Sequence, residues 1–465
     1  MVQSESHFLL VTFPSQGHIN PSLQFAKRLI RIGARVTLLT CVSATRRMTT
    51  ASFPESLTLA TFSDGYDDGI KLGDDLTMHL SELKRRGSET VNELIISRAK
   101  EGQPFTCLVH TLLLSWAAEV ARAHHLPWRL LWIQPATVLA IFYYYFNGFG
   151  DEFGKCSDPD YEVQLPGGFI PLVSRDIPSF LLPSNTQTAF LSTFQEQIEF
   201  ISKENNIKIL VNTFDALESE ELKAIDKFNL VGIGPLLPSA YLDGKDPSDT
   251  TFGGDLFRKS KEYTEWLDSK SESSVVYISF GSYFVLSKKQ TEEIGTSLLS
   301  SNREFFWVIR ENPNELISCR EELEEKGIMI VPWCNQVEVL SHPSVGCFVT
   351  HCGWNSTMEG LVCGVPMVAF PQWSDQGTNT KLIEDVWKSG VRGARNEEGI
   401  VESGEIKRCL ELVMGDDEKG EEIRKNAEKW KLLARDAVKE GGSSDINLKA
   451  FVDEVNGLID VCSNT

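Results

Sequence analysis

The feature that most constrains the fold of this chain is the alternation of short apolar runs with longer amphipathic runs. Near the N-terminus, apolar residues 8–13 and 35–40 flank a stripe of apolar side chains at helical spacing. We place the N-cap of that helix at Asn20 and its first position at Pro21, because proline is favoured there. Short strands that alternate with helices form parallel sheets with crossover helices. The sequence therefore predicts an α/β protein.

The alternation continues along the chain and pauses once, at residues 239–255, which are rich in Gly, Pro, Ser, Thr and Asp. Such a composition marks a linker. A length of 465 residues suits two domains at roughly 100 to 200 residues each. We therefore predict an N-terminal domain at 1–240, a linker at 241–256, a C-terminal domain at 257–445, and a last helix at 446–465 that packs back on the first domain. Further strands are predicted at 106–111, 129–133, 207–211, 274–280, 305–309, 329–331, 345–350 and 365–369.

Charge and cysteine usage exclude several classes of partner. The 45 Lys and Arg against 65 Asp and Glu give a net charge of -20, and no basic run is present, so nucleic acid and anionic membranes are poor partners. No apolar stretch reaches the roughly 20 residues of a membrane span. The ten cysteines have no framework spacing, and the N-terminus has no basic signal region. We expect reduced thiols and a cytoplasmic protein.

The loop after the first strand carries a candidate base. It reads PSQGHINP and contains His18. Ligands of open parallel sheets bind at the carboxyl ends of the strands, where two facing domains form a cleft. The positive end of a helix keeps an imidazole neutral, so that it can accept a proton at pH 7. A histidine near a helix start is also common as a plain polar loop residue, so this motif alone leaves both interpretations open.

A longer motif in the second half has the chemistry of a sugar-nucleotide site. It reads WCNQVEVLSHPSVGCFVTHCGWNSTMEGLVCGVPMVAFPQWSDQ and begins at Trp333. An indole at a strand end offers a flat face to a nucleobase. The HCGWNS segment at 351–356 lies between a strand and a helix, where backbone N–H groups bind phosphates. Glu359 can accept from ribose hydroxyls, and Asp375 and Gln376 can bind a hexose.

This motif resembles the signature of plant UDP-glycosyltransferases, the soluble, inverting GT-B enzymes of secondary metabolism. The PSQGHINP loop, the VVYISFGS strand and the length of the chain also agree, so the resemblance covers the whole chain. It implies a GT-B fold, with two facing Rossmann-like, doubly wound domains and a cleft between them. The N-terminal domain would bind a small-molecule acceptor and the C-terminal domain a UDP-sugar. A monomer without metal or cofactor is expected.

The resemblance also implies a role for each matching residue. The uracil would stack on an indole, the ribose would contact an amide and a carboxylate, the diphosphate would lie at a helix start, and the sugar would reach the end of the motif. A final Gln in this family goes with glucose and a final His with galactose, so UDP-glucose is favoured over UDP-galactose or UDP-xylose. The implied donor-binding residues are Ser282, Trp333, Cys334 through its backbone, Gln336, His351, Trp354, Asn355, Ser356, Glu359, Asp375 and Gln376.

The implied mechanism is a direct displacement, in which an acceptor oxygen attacks the anomeric carbon opposite UDP and gives a β-glucoside or a glucose ester. His18 would be the general base. Many relatives orient this histidine with an Asp, but the matching residue here is Thr111, which supplies no negative charge. We therefore expect a carboxylate or an acidic phenol as acceptor. A catalytically silent UDP-sugar-binding or metabolite-binding protein is the alternative.

Segments 62–69, 111–122 and 210–218 resemble the branch with crocetin glucosyltransferases and anthocyanin 5-O-glucosyltransferases. A flat apolar acceptor fits that branch, and the aromatic residues at 142–145 can form a wall for it or simply the buried face of a helix. His110 lies beside Thr111 and should point to the other side of its strand. The candidate acceptor-pocket residues are Gln16, His110, Trp132, Gln134, Tyr144 and Trp373.

Two patterns resemble metal sites without matching their spacing. A set of His and Cys residues at 342, 347, 351 and 352 fits no standard zinc pattern, and the phosphate role explains His351 better. The Asp-Pro-Asp at 158–160 imitates a metal-binding motif of another transferase fold but is typical of a solvated turn. No GxGxxG follows the first strand, which argues against a dinucleotide dehydrogenase.

Overall fold

The computed structural model describes residues 6–46, 48, 53–71, 73–166, 169–252, 262–282, 285–310 and 318–463. The first part of the chain forms a seven-stranded sheet in the order β3-β2-β1-β4-β5-β6-β7, with every neighbouring pair parallel. Its strands are β1 (His7–Val11), β2 (Arg35–Cys41), β3 (Leu57–Phe62), β4 (Cys107–Thr111), β5 (Trp128–Trp132), β6 (Ile207–Val211) and β7 (Phe228–Gly232).

The second part forms a six-stranded parallel sheet in the order β10-β9-β8-β11-β12-β13. In both sheets the strand order reverses beside the first strand, as in doubly wound Rossmann-like domains. The predicted fold class is therefore confirmed. The strands are β8 (Val275–Ser279), β9 (Glu304–Val308), β10 (Met329–Val331), β11 (Val345–Thr350), β12 (Met367–Ala369) and β13 (Gly390–Arg392).

Helices connect the strands and cover the sheet faces with their apolar sides. Among the described residues, no helix is both long enough and apolar enough to cross a membrane. The α-helices are Gln16–Arg31, Val42–Thr45, Leu76–Lys100, Ser115–Ala123, Ala136–Tyr144, Gly150–Gly154, Thr188–Ile201, Glu262–Asp268, Lys288–Ser300, Arg320–Glu325, Gln336–Leu340, Trp354–Cys363, Gln376–Lys381, Ser403–Met414, Glu418–Val438 and Ser443–Ser463.

The first helix begins earlier than the sequence predicts. Its N-cap is Ser15 and not Asn20, and Pro21 lies inside the helix. The carbonyl of Ser15 accepts from the backbone N–H groups of His18 and Ile19, at 3.0 and 2.9 Å, which closes the first turn ahead of the proline. As a consequence, His18 belongs to the first helical turn instead of the preceding loop. Pro21 is the sixth residue of this helix, so its missing N–H leaves the carbonyl of Gly17 without its partner inside the helix.

The predicted linker is folded against this helix over its described part. Lys27 Nζ lies 2.5 Å from Asp249 Oδ1, and both side chains are almost fully buried. Arg31 lies 3.8 Å from Asp243 and from Asp246. The aspartates of this segment thus form ion pairs with basic side chains of the first helix. Residues 253–261, which include the predicted start of the second domain, lie outside the described residues.

The last helix, Ser443–Ser463, packs on the first sheet. Phe451 lies in the same core as Phe8, with ring centroids 5.7 Å apart. Glu454 pairs with Arg129 at 2.5 Å and also with Lys208. These contacts tie the end of the chain to the N-terminal domain, whereas the helix itself begins a few residues before position 446.

Candidate active site

A cleft lies between the carboxyl ends of the two sheets. Residues from both domains line it: His18 follows β1, Gln134 follows β5, and Gly281 and His351 follow β8 and β11. Doubly wound sheets place their ligand sites at this edge, because the loops of neighbouring strands meet there. The candidate residues of both predicted motifs therefore face one shared space.

His18 is paired with Thr111 as the sequence suggests it can be. Nδ1 of the imidazole lies 3.2 Å from Oγ1 of Thr111, at the end of β4. The same Oγ1 accepts from the backbone N–H of Phe13 at 3.3 Å. A hydroxyl can both donate and accept, so Thr111 holds Nδ1 in either tautomer. In the tautomer with the proton on Nδ1, the lone pair of Nε2 is left for a substrate.

The electrostatic surroundings keep His18 neutral. Burial lowers its pKa from 6.5 to about 3, since the charged form loses hydration and the neighbouring Thr111 brings no compensating charge. Its place in the first turn of a helix disfavours a cation further. The imidazole is therefore a neutral but weak base at pH 7.

The proposed uracil end of the cleft holds a cation that sequence reasoning missed. The Arg310 guanidinium lies 5.8 Å from the ring centroid of Trp333, and it donates to the carbonyls of Gly281 and Ser282. Burial lowers the pKa of Arg310 to about 10, so it stays charged at pH 7. Arg310 comes two residues after β9, and the rule that sites follow strand ends was the signal that could have found it.

The proposed ribose residues are already connected. Gln336 Nε2 donates to Glu359 at 2.6 Å and to Ser356 Oγ at 2.8 Å. The hydroxyl of Tyr277, which sequence reasoning also missed, donates to Gln336 Oε1 at 3.2 Å. Burial raises the pKa of the Cys334 thiol to about 12, so it is un-ionised and its backbone is the part with binding capacity. The carboxylate of Glu359, which accepts from Gln336 in this network, lines the cleft.

The imidazole of His351 lies between two glycines. A Cβ on Gly281 would lie 2.5 Å from the ring, and one on Gly353 would lie 2.6 Å from its Nε2. Gly281 also has a positive φ of 75°, which other residues rarely adopt. Burial and nearby Arg310 lower the pKa of His351 to about 4, so it is neutral and can donate one hydrogen bond. Both glycines are needed for this close approach.

Two side chains at the start of the helix Trp354–Cys363 reach across the cleft. Trp354 Nε1 donates to the backbone carbonyl of Asn212 at 2.8 Å. Asn355 Nδ2 donates to the carbonyl of Gly17 at 2.9 Å. The predicted donor helix is thus hydrogen-bonded directly to two backbone carbonyls of the N-terminal domain, and one of them, that of Gly17, is adjacent to His18. Ser282 is exposed at the edge of the same space.

Asp375 and Gln376 lie at the sugar end of the cleft. Asp375 accepts from Asn379 Nδ2 at 2.7 Å, and burial raises the pKa of its carboxyl. Gln376 Oε1 accepts from the backbone N–H groups of Gln372 and Trp373, at 2.8 and 3.2 Å. Gln376 therefore also holds the loop that presents the Trp373 ring to the cleft.

Three of the six candidate acceptor residues line the cleft and three do not. Gln16, Gln134 and Trp373 line it. His110, Trp132 and Tyr144 lie elsewhere, which corrects the prediction.

Each of the three misplaced side chains is held by the protein itself. Trp132 is fully buried and its Nε1 donates to a backbone carbonyl at 2.9 Å. The Tyr144 hydroxyl donates to the carbonyl of Ala224 at 2.6 Å, away from the cleft. His110 is also fully buried, and its Nδ1 lies 3.0 Å from the carbonyl of Thr111. It faces the opposite side of β4 from Thr111, as strand geometry requires.

The aromatic wall of the cleft comes from a different part of the chain. Phe180 and Phe190 lie 5.7 and 6.3 Å from Trp373, between ring centroids, and Phe194 completes the wall. The phenylalanines belong to a loop and a helix between β5 and β6 that carry no motif. The run at 142–145, for which the sequence left both a wall and a buried helix face open, packs against the N-terminal core.

No group of three His, Cys, Asp or Glu side chains suited to a metal ion occurs within the described ranges. His342 bonds to Ser344 at 2.8 Å and to Asp268 at 3.1 Å, outside the cleft. Asp158 accepts from the backbone of Asp160 in an exposed turn, as the sequence predicts. The described cysteines are all free thiols.

Comparisons with known proteins agree with this geometry. The family model "UDP-glucoronosyl and UDP-glucosyl transferase" matches residues 251–428. The chain is 58% identical to phloretin 4'-O-glucosyltransferase of Malus domestica, over 98% of this chain and 99% of that one. It is also 58% identical to the chloroplastic crocetin glucosyltransferase of Gardenia jasminoides, over 98% of each chain.

The chain belongs to this family of UDP-glycosyltransferases. Among solved structures it resembles Os79 of O. sativa in complex with UDP, with 35% identity, a TM-score of 0.85, and coverage of 96% of this chain and 100% of that one. The predicted family and the GT-B fold are both confirmed.

Proposed function

We propose that this UDP-glycosyltransferase transfers glucose from UDP-glucose, with inversion, to an acidic hydroxyl of a flat apolar plant metabolite. The observation that carries the proposal is the position of His18. Its Nδ1 is held by Thr111, and it faces the cleft between the aromatic wall and the nucleotide motif. A base in that position is within reach of an acceptor that stacks on the wall.

The donor would lie along the second sheet in the order that the motif implies. Uracil stacks on Trp333, the ribose hydroxyls donate to Glu359, and the diphosphate meets the start of the helix Trp354–Cys363 near His351. Helix starts bind phosphates through free N–H groups and a favourable dipole. Gln376 favours glucose, in line with the relatives, which are named as glucosyltransferases. The names of these relatives do not favour UDP-galactose or UDP-xylose, the alternative donors.

The reaction follows from these positions. The acceptor oxygen attacks the anomeric carbon while its proton moves to Nε2 of His18, and the bond from that carbon to the β-phosphate oxygen breaks. The negative charge that develops on UDP is stabilised by the helix start and by neutral donors such as His351. No metal is needed in this scheme, because the charge is distributed over fixed hydrogen-bond donors.

The acceptor side of the cleft favours a phenol over a carboxylate. The described residues that line this side are aromatic, aliphatic or uncharged polar, and the charged groups Arg310, Glu359 and Asp375 belong to the donor side. A carboxylate that enters an apolar site without a cationic partner loses its hydration. A phenol has an apolar ring for the wall of Phe180, Phe190 and Trp373, and an acidic proton that a weak base can take.

A competition assay tests this acceptor class. Purified protein and UDP-glucose would be offered an equimolar mixture of a flavonoid phenol, an aromatic carboxylic acid and an aliphatic alcohol of similar size. We expect the phenolic glucoside to dominate. A dominant aliphatic glucoside would contradict the argument from Thr111, and a dominant glucose ester would contradict the argument from the uncharged wall.

The silent binding protein is the second candidate function, because Thr111 takes the place of a charged partner of His18. It would bind UDP-glucose and release no UDP with any acceptor. A monomer in the cytoplasm remains our proposal, although one relative is named chloroplastic. Sedimentation of the pure protein and localisation of a fluorescent fusion test these two points.

A further inference from the structure

The first helix contains a proline at a position where it frees a backbone carbonyl. In an α-helix the carbonyl of residue i accepts from the N–H of residue i+4. Pro21 is the i+4 partner of Gly17, and it has no N–H. The pyrrolidine ring also crowds the carbonyl four residues earlier and tilts it away from the helix axis. The carbonyl of Gly17 is thus available outside the helix.

That carbonyl has a partner in the other domain. Asn355 Nδ2 donates to it at 2.9 Å, from the start of the helix that we assign to the diphosphate. Gly17 is the residue directly before His18, and both line the cleft. A single hydrogen bond therefore joins the peptide next to the proposed base to the helix start next to the proposed leaving group.

We propose that Pro21 is a positioning residue, which acts through the Gly17 carbonyl and Asn355 to set the distance between His18 and the donor. This inference rests on the proposed function and adds to it a role for a residue outside the cleft. Pro21 is buried, and neither substrate would touch it. Its effect on transfer would be indirect, through the alignment of two groups that belong to different domains.

The alignment matters because a reacting oxygen must lie close to the base and to the anomeric carbon at once. The base is fixed to the N-terminal domain by Thr111, while the donor is fixed to the C-terminal domain. Small errors in the placement of reacting groups reduce rates strongly. A neighbouring bond from Trp354 to the carbonyl of Asn212 holds the same helix start, so the loss of one bond should misalign the domains without separating them.

The test is a double-mutant cycle with Pro21→Ala and Asn355→Ala. Alanine restores the N–H, which then draws the Gly17 carbonyl into the helix. We expect Pro21→Ala to lower kcat roughly two- to ten-fold, the range of one lost hydrogen bond, with little change in the KM for UDP-glucose. In the Asn355→Ala background, the same change should have no further effect on kcat.

Other outcomes overturn the inference. An unchanged kcat in Pro21→Ala, or an equal fall in both backgrounds, would show that the proline has only a structural role. Pro21→Ser also supplies an N–H and repeats the cycle if the alanine variant fails to give a native circular dichroism spectrum. A wild-type protein that transfers no glucose would instead refute the proposed function, and the inference with it. The proposed function is therefore tested on the wild type, whereas the inference is tested on the variants.

Discussion

Replacing Thr111 by Asp tests how this site activates an acceptor. Oγ1 of Thr111 lies 3.2 Å from Nδ1 of His18, so a carboxylate at this position would face the same nitrogen. A unit charge about 4 Å away stabilises the imidazolium by ~4 kcal/mol at an effective dielectric constant of about 20. Burial of the new carboxylate opposes part of that gain, because Thr111 is fully buried.

The net effect of a neighbouring carboxylate is a rise of roughly 1 to 3 pKa units. The pKa of His18, about 3 in the wild type, would rise accordingly. If the proton is about half transferred in the transition state, kcat rises roughly 3- to 30-fold for acceptors that need a strong base. Acidic phenols can be deprotonated by a weaker base, so their kcat should rise less. Thr111→Asp should therefore shift the preference toward aliphatic alcohols.

The measurement is the ratio of kcat/KM for an aliphatic alcohol to that for a phenol. Thr111→Asn is the matched control, because it has the shape of Asp and no charge. Thermal melts of both variants show whether the buried carboxylate of Thr111→Asp lowers the stability of the fold. An equal ratio in the two variants would refute the claim that the missing charge limits His18.

Three further predictions concern other parts of the molecule. Gly281→Ala should weaken UDP binding at least about tenfold in calorimetry, because the new Cβ would lie 2.5 Å from the His351 ring. Gly327 has a similar positive φ but open space around it, so Gly327→Ala should leave the affinity for UDP unchanged. An equal loss of UDP affinity in the two variants would show that backbone strain, and not the contact with His351, is the cause. Burial lowers the pKa of His110 to about 4, so between pH 6.5 and 4 the unfolded chain binds more protons than the folded protein. The free energy of unfolding should therefore fall as the pH drops through this window, by up to ~1.4 kcal/mol per pH unit from this residue, and urea titrations that show no fall would contradict the argument. Phe190→Ala should raise the KM for a phenolic acceptor roughly 3- to 30-fold with an unchanged Kd for UDP, and a parallel loss of UDP affinity would show that the residue is not confined to the acceptor side.

The strands that sequence reasoning missed share a physical property. β3, β7 and β13 each lie at an edge of their sheet. β3 has exposed and half-buried residues between its buried ends, and β13 has only three residues. Central strands of parallel sheets are buried on both faces and give continuous apolar runs, whereas edge strands give a mixed pattern. The central strands were therefore predictable from hydrophobicity, whereas of the four edge strands only β10 was predicted.

The donor and acceptor sides of the cleft also differ in how far the sequence predicts them. The donor residues are nearly all contained in one continuous segment, whose strand-loop-helix pattern carries its own chemistry. The acceptor wall joins Phe180 and Phe190 with Trp373, which are far apart in sequence and meet only through tertiary packing. An aromatic residue looks the same in the sequence whether it lines a cleft, as Trp373 does, or fills a core, as Trp132 does.

The start of the first helix was predicted at the wrong residue. Asn20 and Pro21 carry a strong start signal, but Ser15 caps the helix five residues earlier. The carbonyl of Ser15 closes the early turn, and the carbonyl of Gly17, which Pro21 leaves without a helical partner, accepts from Asn355. That second contact comes from a residue in the other domain, which no local pattern contains.

The central claim is that His18 takes the proton from an acceptor during transfer from UDP-glucose. The most direct test is the initial rate of UDP release with UDP-glucose and a phenolic acceptor, for the wild type and for His18→Ala. We expect release that depends on the acceptor, and a fall of about 100-fold or more in the variant, with the Kd for UDP retained. Release that is independent of the acceptor, or an equal rate in the variant, would contradict the account.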